Sequence, residues 1–181
     1  LGRINSAGID LADESILAAL NDELSALATR HWHARPLVAG SSVDECTAQA
    51  VLNPANHSDQ VGTVSESSAT QINCALNNAV ACSISWHQTP LGERASILRR
   101  AADLLECNRT QLFSLCIREA GKTLGNAVAE VREAVDFCRY YAQQLLDGNF
   151  KNGDKAPGPV VCISPWNFPL AIFIGEVSAA L

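Results

Sequence analysis

The sequence of 181 residues contains no methionine, although a natural reading frame starts with one. We therefore expect the chain to be an excised or partial piece of a longer protein. It also lacks a G-x-G-x-x-G segment and a P-loop, which excludes the two common glycine-rich phosphate-binding motifs. No block of Lys or Arg occurs, and 13 basic against 19 acidic residues give a net charge of −6. A nucleic-acid partner is therefore not expected.

Cysteine is present, but not in a pattern typical of a zinc site or a disulfide framework. The seven cysteines are odd in number and include no C-x-x-C pair, which is typical of reduced thiols in a cytoplasmic protein. His31 and His33 flank Trp32, yet no third ligand of suitable spacing follows, so we expect an exposed helix end and no metal site. The long apolar window over residues 159–181 is interrupted by prolines and by Glu176, so no membrane segment is expected.

Apolar periodicity predicts a helical chain with a small sheet inserted before residue 65. Short apolar pieces alternate with turn formers over residues 36–64, which predicts two or three strands. Helices are predicted over residues 13–30, from Thr70 onward, over 89–107, from about 108 to Gly121, and over 124–146. In the second of these helices, the side chains expected to face inward are those of Ile72, Leu76, Ala79 and Val80. The longest should bury Val128, Val131, Val135, Cys138, Ala142 and Leu145.

The most informative stretch is residues 160–181, where an apolar run, the turn PWNFP and a second apolar run follow one another. This order predicts a buried strand, a rigid turn and the start of a helix, as in a parallel α/β unit. Asn167 stands at the tip of the turn. Its amide can donate to an oxygen that becomes negative during a reaction, or it can simply be a turn former. Cys162 is excluded as a nucleophile, because no basic residue that would activate its thiol lies beside it in sequence.

Two charged residues have a structural interpretation at this point. Glu133 lies on the predicted long helix but off its apolar stripe, so a solvated face with an Arg132–Asp136 pair is favoured. The alternative is a carboxylate that faces a cationic group on a ligand. Lys122 follows the predicted helix stop at Gly121 and is expected near the negative end of that helix.

Several segments together resemble the NAD(P)-dependent aldehyde dehydrogenase superfamily. They are PWNFPL at 165–170, EAGK at 119–122, GER at 92–94 and VLNPA at 51–55. Residues 129–137 and 158–169 are similar to one branch, the L-glutamate γ-semialdehyde (1-pyrroline-5-carboxylate) dehydrogenase module of the bifunctional proline-utilisation (PutA) proteins. Residues 1–30, which include the segment RINSAGIDL at 3–11, resemble the linker helix that precedes this module.

The resemblance implies an α/β fold, namely the N-terminal part of an aldehyde dehydrogenase domain. Its parts are a helical layer, short strands and the first strand-turn-helix of a Rossmann-like NAD-binding domain. Residues 1–35 would be the linker helix, and residues 36–181 an incomplete dehydrogenase domain. The implied activity is the oxidation of L-glutamate γ-semialdehyde to L-glutamate with NAD⁺, the second step of proline catabolism.

The resemblance also assigns roles to individual residues. These are Asn167 as the catalytic oxyanion donor, Ile163, Ser164, Pro165 and Trp166 at the NAD site, and Glu133 and Phe168 at the aldehyde substrate. The nucleophilic cysteine and general-base glutamate of the family would lie beyond residue 181, and an FAD-dependent proline dehydrogenase domain upstream. We therefore expect an inactive fragment of a cytoplasmic homo-oligomer. Two alternatives stay open: a dehydrogenase for another aldehyde, and a catalytically silent fragment for docking or oligomerisation.

Overall fold

The computed structural model describes residues 3–40, 47–148 and 156–181. These residues form helices packed in a layer beside a three-stranded sheet, which confirms the predicted α/β class. The elements in chain order are α1 (Glu14–Leu27), β1 (Trp32–Ala34), β2 (Ala48–Asn53), β3 (Asn56–Ser65), α2 (Ala69–Gln88), α3 (Leu91–Cys107), α4 (Arg109–Ala120), α5 (Leu124–Asp147) and α6 (Ala171–Ala180). None of the helices described is long and apolar enough to cross a lipid bilayer.

Helix α5 is the centre of the core. The Thr123 hydroxyl caps its first turn by accepting the N–H of Asn126 at 3.3 Å, and Gly148 ends it in the left-handed conformation. Its small and β-branched residues recur at helical spacing, so α3, α4 and α6 can all approach closely. The predicted buried stripe is confirmed for Val128, Val131, Val135, Cys138 and Ala142, and Leu145 is half-buried.

The sheet has the order β1-β3-β2, with β2 and β3 antiparallel and β1 parallel to β3. Trp32 and Gly62 face one another in the parallel pair. A Cβ built on Gly62 would lie 1.9 Å from the carbonyl oxygen of Trp32, so this close pairing requires glycine. The pair also shows that the expected helix end at residues 31–33 was wrong. His33 lies in β1, and its Nδ1 is 2.8 Å from the Thr63 hydroxyl.

Arg118 connects helix α4 to the sheet. Its guanidinium donates to both carboxylate oxygens of Asp59 on β3, at 2.6 and 3.1 Å, and to the carbonyl oxygens of Leu27 and Arg30. The hydrogen bonds from Arg118 lower the pKa of Asp59 to about 2. One largely buried side chain therefore joins α4, the end of α1 and the hairpin.

The predicted burial of the α2 stripe was wrong. Ser68, not Thr70, caps this helix by accepting the N–H of Gln71 at 3.2 Å. Ile72, Leu76, Ala79 and Val80 are exposed, because the part of the chain that the structure describes leaves this face of α2 largely uncovered. Helical periodicity identified the apolar face correctly but could not supply a neighbour for it.

The expected buried strand before the turn also differs from what is found. Residues 156–165 form no regular secondary structure and pair with no strand among the residues described, and Val161 and Ile163 are exposed. A strand needs a neighbour to accept and donate its backbone hydrogen bonds. The turn and the helix that follow, α6, form as predicted.

Candidate functional site

The turn over residues 165–170 presents Asn167 to the outside of the molecule. The N–H of Phe168 donates to the carbonyl oxygen of Pro165 at 3.3 Å, which closes the turn. Asn167 is exposed, and its amide makes no hydrogen bond to any residue that the structure describes. The amide is therefore free to donate to an external oxygen. This geometry suits the predicted donor role, because a turn former would use its side chain within the turn.

The turn is attached to helix α5 through Glu130. This carboxylate is only 2 % exposed, and its Oε2 accepts the N–H groups of Leu170 and Ala171 at 3.2 and 2.8 Å. Both donors belong to the start of α6, where Leu170 provides no side-chain cap of its own. A negative charge at this position also complements the positive end of the α6 dipole. Glu130 therefore caps α6 from another helix.

Lys122 completes the attachment. Its ammonium donates to Oε1 of Glu130 at 2.6 Å and lies 4.6 Å from the centroid of the Phe168 ring. Gly121 ends α4 in the left-handed conformation, as predicted. The ammonium of Lys122, which was expected to interact with the end of α4, pairs with Glu130 instead. It also lies over the ring of Phe168, the residue next to Asn167.

Glu133 lies on the flank of α5 that borders α6. It is three residues after Glu130 and four before Phe137, and both of these contact α6. Its carboxylate is exposed. The Arg132–Asp136 pair that would have made this a simple solvated face does not form, and Asp136 instead accepts the N–H of Ser6 at 2.7 Å. Helical geometry thus places Glu133 and the turn at the same edge of α5, although no direct contact joins Glu133 to Asn167.

A mostly apolar cleft of about 560 Å³ separates α4 from the turn. Its lining includes Leu112, Leu115, Cys116, Glu119, Trp166 and Leu170. Trp166 is 85 % exposed, so one indole face is open to a ligand. Burial raises the pKa of the Cys116 thiol to about 11, so this thiol is protonated near neutral pH and does not suit a nucleophile.

The remaining residues predicted at the site lie at the end of the irregular segment that leads into the turn. Ile163 and Pro165 are exposed, and Ser164 is half-buried. Sequence reasoning missed Glu130 entirely. Its signal was a carboxylate on the buried side of a helix, between Ala127 and Ala134, which leave room for it.

The model of the aldehyde dehydrogenase family matches residues 41–181. The chain belongs to this family. The match includes α2 to α6, the turn with Asn167 and the irregular segment before it. The resemblance suggested by the turn and by the segment EAGK is thereby confirmed.

Curated relatives within the family point to one branch. The chain is 53 % identical over 182 residues to the bifunctional protein PutA of Salmonella typhimurium, covering 99 % of this chain and 14 % of that protein. It is 37 % identical over 144 residues to 1-pyrroline-5-carboxylate dehydrogenase of Anoxybacillus flavithermus, covering 72 % of this chain and 28 % of the relative. The chain therefore spans about a seventh of the first relative and less than a third of the second.

A solved structure gives the same result at the level of the fold. The 1-pyrroline-5-carboxylate dehydrogenase from Thermus with bound NAD superposes with a TM-score of 0.83 at 28 % identity. The superposition covers 97 % of this chain and 37 % of that one. The described residues therefore have the fold of the corresponding part of that dehydrogenase.

Proposed function

We propose that residues 1–181 are the N-terminal part of an NAD-dependent L-glutamate γ-semialdehyde dehydrogenase within a bifunctional proline-utilisation protein. In this proposal residues 1–35 are the linker that precedes the module, and residues 36–181 begin the dehydrogenase domain. The observation that carries the proposal is the exposed amide of Asn167, on a turn anchored to α5, which hydrogen-bonds to none of the described residues. The similarity to PutA and to 1-pyrroline-5-carboxylate dehydrogenases supports the choice of substrate.

Asn167 would act as the oxyanion donor. When a thiolate adds to the aldehyde, the carbonyl oxygen gains negative charge, and an amide N–H already aimed at that oxygen stabilises it. Because the Asn167 amide makes no hydrogen bond within residues 3–40, 47–148 and 156–181, it is available for the substrate. Phe168 would form an aromatic wall of the aldehyde pocket beside it.

The cofactor would lie along Ile163, Ser164, Pro165 and Trp166. Two of these side chains, Ile163 and Trp166, are the most exposed apolar groups of the segment, and exposed apolar faces suit the flat rings of a dinucleotide. NAD, when bound, accepts the hydride that the oxidation removes. The protein's own contribution here is a rigid, Pro-containing surface that fixes orientation.

The nucleophilic cysteine and the general-base glutamate would lie outside residues 1–181, and so would the FAD-dependent proline dehydrogenase domain. The buried Cys116 supports this, because it lines the cleft beside the turn yet its pKa is raised to about 11 by burial. We expect residues 1–181 alone to show no dehydrogenase turnover. We also expect the complete gene product to be a homo-oligomer.

The substrate assignment is tested through Glu133, whose carboxylate would hold the ammonium group of the semialdehyde. In the complete gene product, Glu133→Ala should raise KM for L-glutamate γ-semialdehyde far more than KM for an unbranched aliphatic aldehyde of similar length. Glu66→Ala, which removes another exposed carboxylate, is the matched control and should change neither. Equal effects of Glu133→Ala on both aldehydes would instead favour a dehydrogenase for a different aldehyde.

A second candidate function is docking or oligomerisation without catalysis. The exposed apolar positions of α2, which include Ile72, Leu76, Val80 and Ile84, favour it. Two measurements distinguish the candidate functions, namely turnover by the complete gene product and its oligomeric state. Turnover of the semialdehyde with NAD by the complete gene product supports the dehydrogenase. Absence of turnover, together with a change of oligomeric state in Leu76→Asp, supports docking.

A further inference from the structure

We propose that Glu130 and Lys122 are positioning residues that hold Asn167 and Phe168 in their working geometry. The inference rests on the proposed function, because it concerns the same oxyanion site. Neither Glu130 nor Lys122 makes a hydrogen bond to Asn167 itself. Their effect on Asn167 passes through the backbone at residues 168–171.

The first step is the anchoring of the turn at its C-terminal end. Oε2 of Glu130 accepts two successive backbone N–H groups, from Leu170 and Ala171. Two hydrogen bonds to one carboxylate oxygen fix both the position and the direction of the first turn of α6. Residues 165–170 are short and contain two prolines, so fixing one end leaves Asn167 little freedom.

The second step is the orientation of the carboxylate itself. Glu130 is nearly fully buried within α5, and Lys122 donates to its other oxygen at 2.6 Å. A buried carboxylate without this partner would lose its compensating charge. Lys122 also lies over the ring of Phe168 at 4.6 Å from the centroid, a distance at which an ammonium attracts an aromatic face. The pair thus holds the turn at Phe168 and at Leu170–Ala171, on the C-terminal side of Asn167.

The third step is the contrast with another largely buried ion pair. Arg118 and Asp59 also approach to 2.6 Å, but they join α4 to the sheet and touch no residue of the turn. Breaking that pair should weaken the fold without moving Asn167. It therefore serves as a matched control for the loss of a buried ion pair.

The test uses the complete gene product and single-turnover acylation. Glu130→Gln keeps the side-chain shape and an acceptor oxygen but removes the charge. We expect acylation to slow by roughly 10- to 10²-fold, as for displacement of a catalytic group by about 1 Å. Lys122→Met should produce the same pattern and provides a second variant if Glu130→Gln folds poorly. Asp59→Asn should lower the melting temperature while leaving the acylation rate within about two-fold.

Coupling to Asn167 separates positioning from general destabilisation. The double variant Glu130→Gln/Asn167→Ala should acylate within about two-fold of Asn167→Ala alone, because the anchored group is already gone. Losses that multiply would overturn the proposal. So would a wild-type acylation rate in both Glu130→Gln and Lys122→Met.

The hydrogen-exchange rates of the Leu170 and Ala171 amides measure whether Glu130 holds the start of α6, independently of catalysis. Exchange in Glu130→Gln should accelerate by roughly ten-fold or more, and in Asp59→Asn it should not. Unchanged exchange in Glu130→Gln contradicts the anchor, whatever the kinetics. Accelerated exchange combined with normal acylation by Asn167→Ala supports the anchor and contradicts only the proposed oxyanion role.

Discussion

Helices α5 and α2 both carry an apolar stripe, yet α5 is buried and α2 is exposed. The α5 stripe consists of Ala, Val and Cys, and three helices pack against it. The α2 stripe has larger residues, Ile72, Leu76, Val80 and Ile84, and all of them are exposed within the described residues. The comparison teaches that periodicity identifies the apolar face of a helix, whereas burial depends on a neighbour that local sequence does not encode.

The largest expected difference between α5 and α2 is in the loss of stability when a charged residue is introduced into the apolar stripe of each helix. Val135 is fully buried, so Val135→Asp should cost about 4 kcal/mol or more and abolish soluble expression. Val80, on α2, is 61 % exposed, and Val80→Asp should change stability by less than about 0.5 kcal/mol. Soluble yield and melting temperature of the complete gene product check this. If both variants lost solubility equally, α2 would be covered in the complete protein and the contrast would disappear.

A smaller effect is expected where α5 meets α6. A Cβ on Gly175 would lie 2.9 Å from the ring of Phe137, so Gly175→Ala should cost about 1–3 kcal/mol through overpacking. Gly92 in α3 has open space around it, and Gly92→Ala should stabilise the helix by up to about 1 kcal/mol. Opposite shifts in melting temperature are expected. A stabilising Gly175→Ala would show that α6 does not sit closely on α5.

Cysteine labelling compares the two helices without mutation. Burial raises the pKa of Cys138, on α5, to about 11, whereas Cys82 on α2 is exposed. Iodoacetamide near neutral pH should modify Cys82 at least about 10²-fold faster, because the thiolate is the reactive species. Mass spectrometry of timed samples measures the ratio. Similar rates at both cysteines would mean that α5 opens readily.

The smallest effect concerns pH and lies outside the α5 core. Arg118 lowers the pKa of Asp59 to about 2, so the folded state favours the ionised carboxylate. The resulting stabilisation is fully present above the ordinary aspartate pKa, about 4, and is lost as the pH falls toward 2. The difference in melting temperature between the wild type and Asp59→Asn should therefore be constant near neutral pH and shrink below about pH 4. A difference that grew on acidification would contradict the assignment.

Local signals in the sequence predicted most of the helices. Asp13 caps α1, the segment Thr89-Pro90 precedes α3, and Gly121 ends α4, because capping and turn chemistry act within a few residues. The turn with Asn167 and the start of α6 were predictable for the same reason. Features that depend on contacts between residues far apart in the sequence could not be predicted in this way.

The role of Glu130 depends on contacts 40 residues or more along the chain. A sequence pattern cannot show which backbone N–H groups a carboxylate will meet. The strand β1 escaped prediction for a similar reason, because three residues form a strand only by pairing with β3. Most of the residues predicted at the site are neighbours in sequence, in and just before one turn, whereas the groups that hold the turn in place became visible only in three dimensions.

The most direct test of the account is the rate of single-turnover acylation by L-glutamate γ-semialdehyde in the complete gene product carrying Asn167→Ala. Asn77→Ala, which removes an exposed amide on α2, is the matched control. We expect Asn167→Ala to slow acylation by roughly 10²- to 10³-fold at an unchanged melting temperature, as for the loss of one oxyanion donor, and Asn77→Ala to have no effect. An unchanged rate in Asn167→Ala would contradict the account and leave Asn167 as a residue of the turn alone.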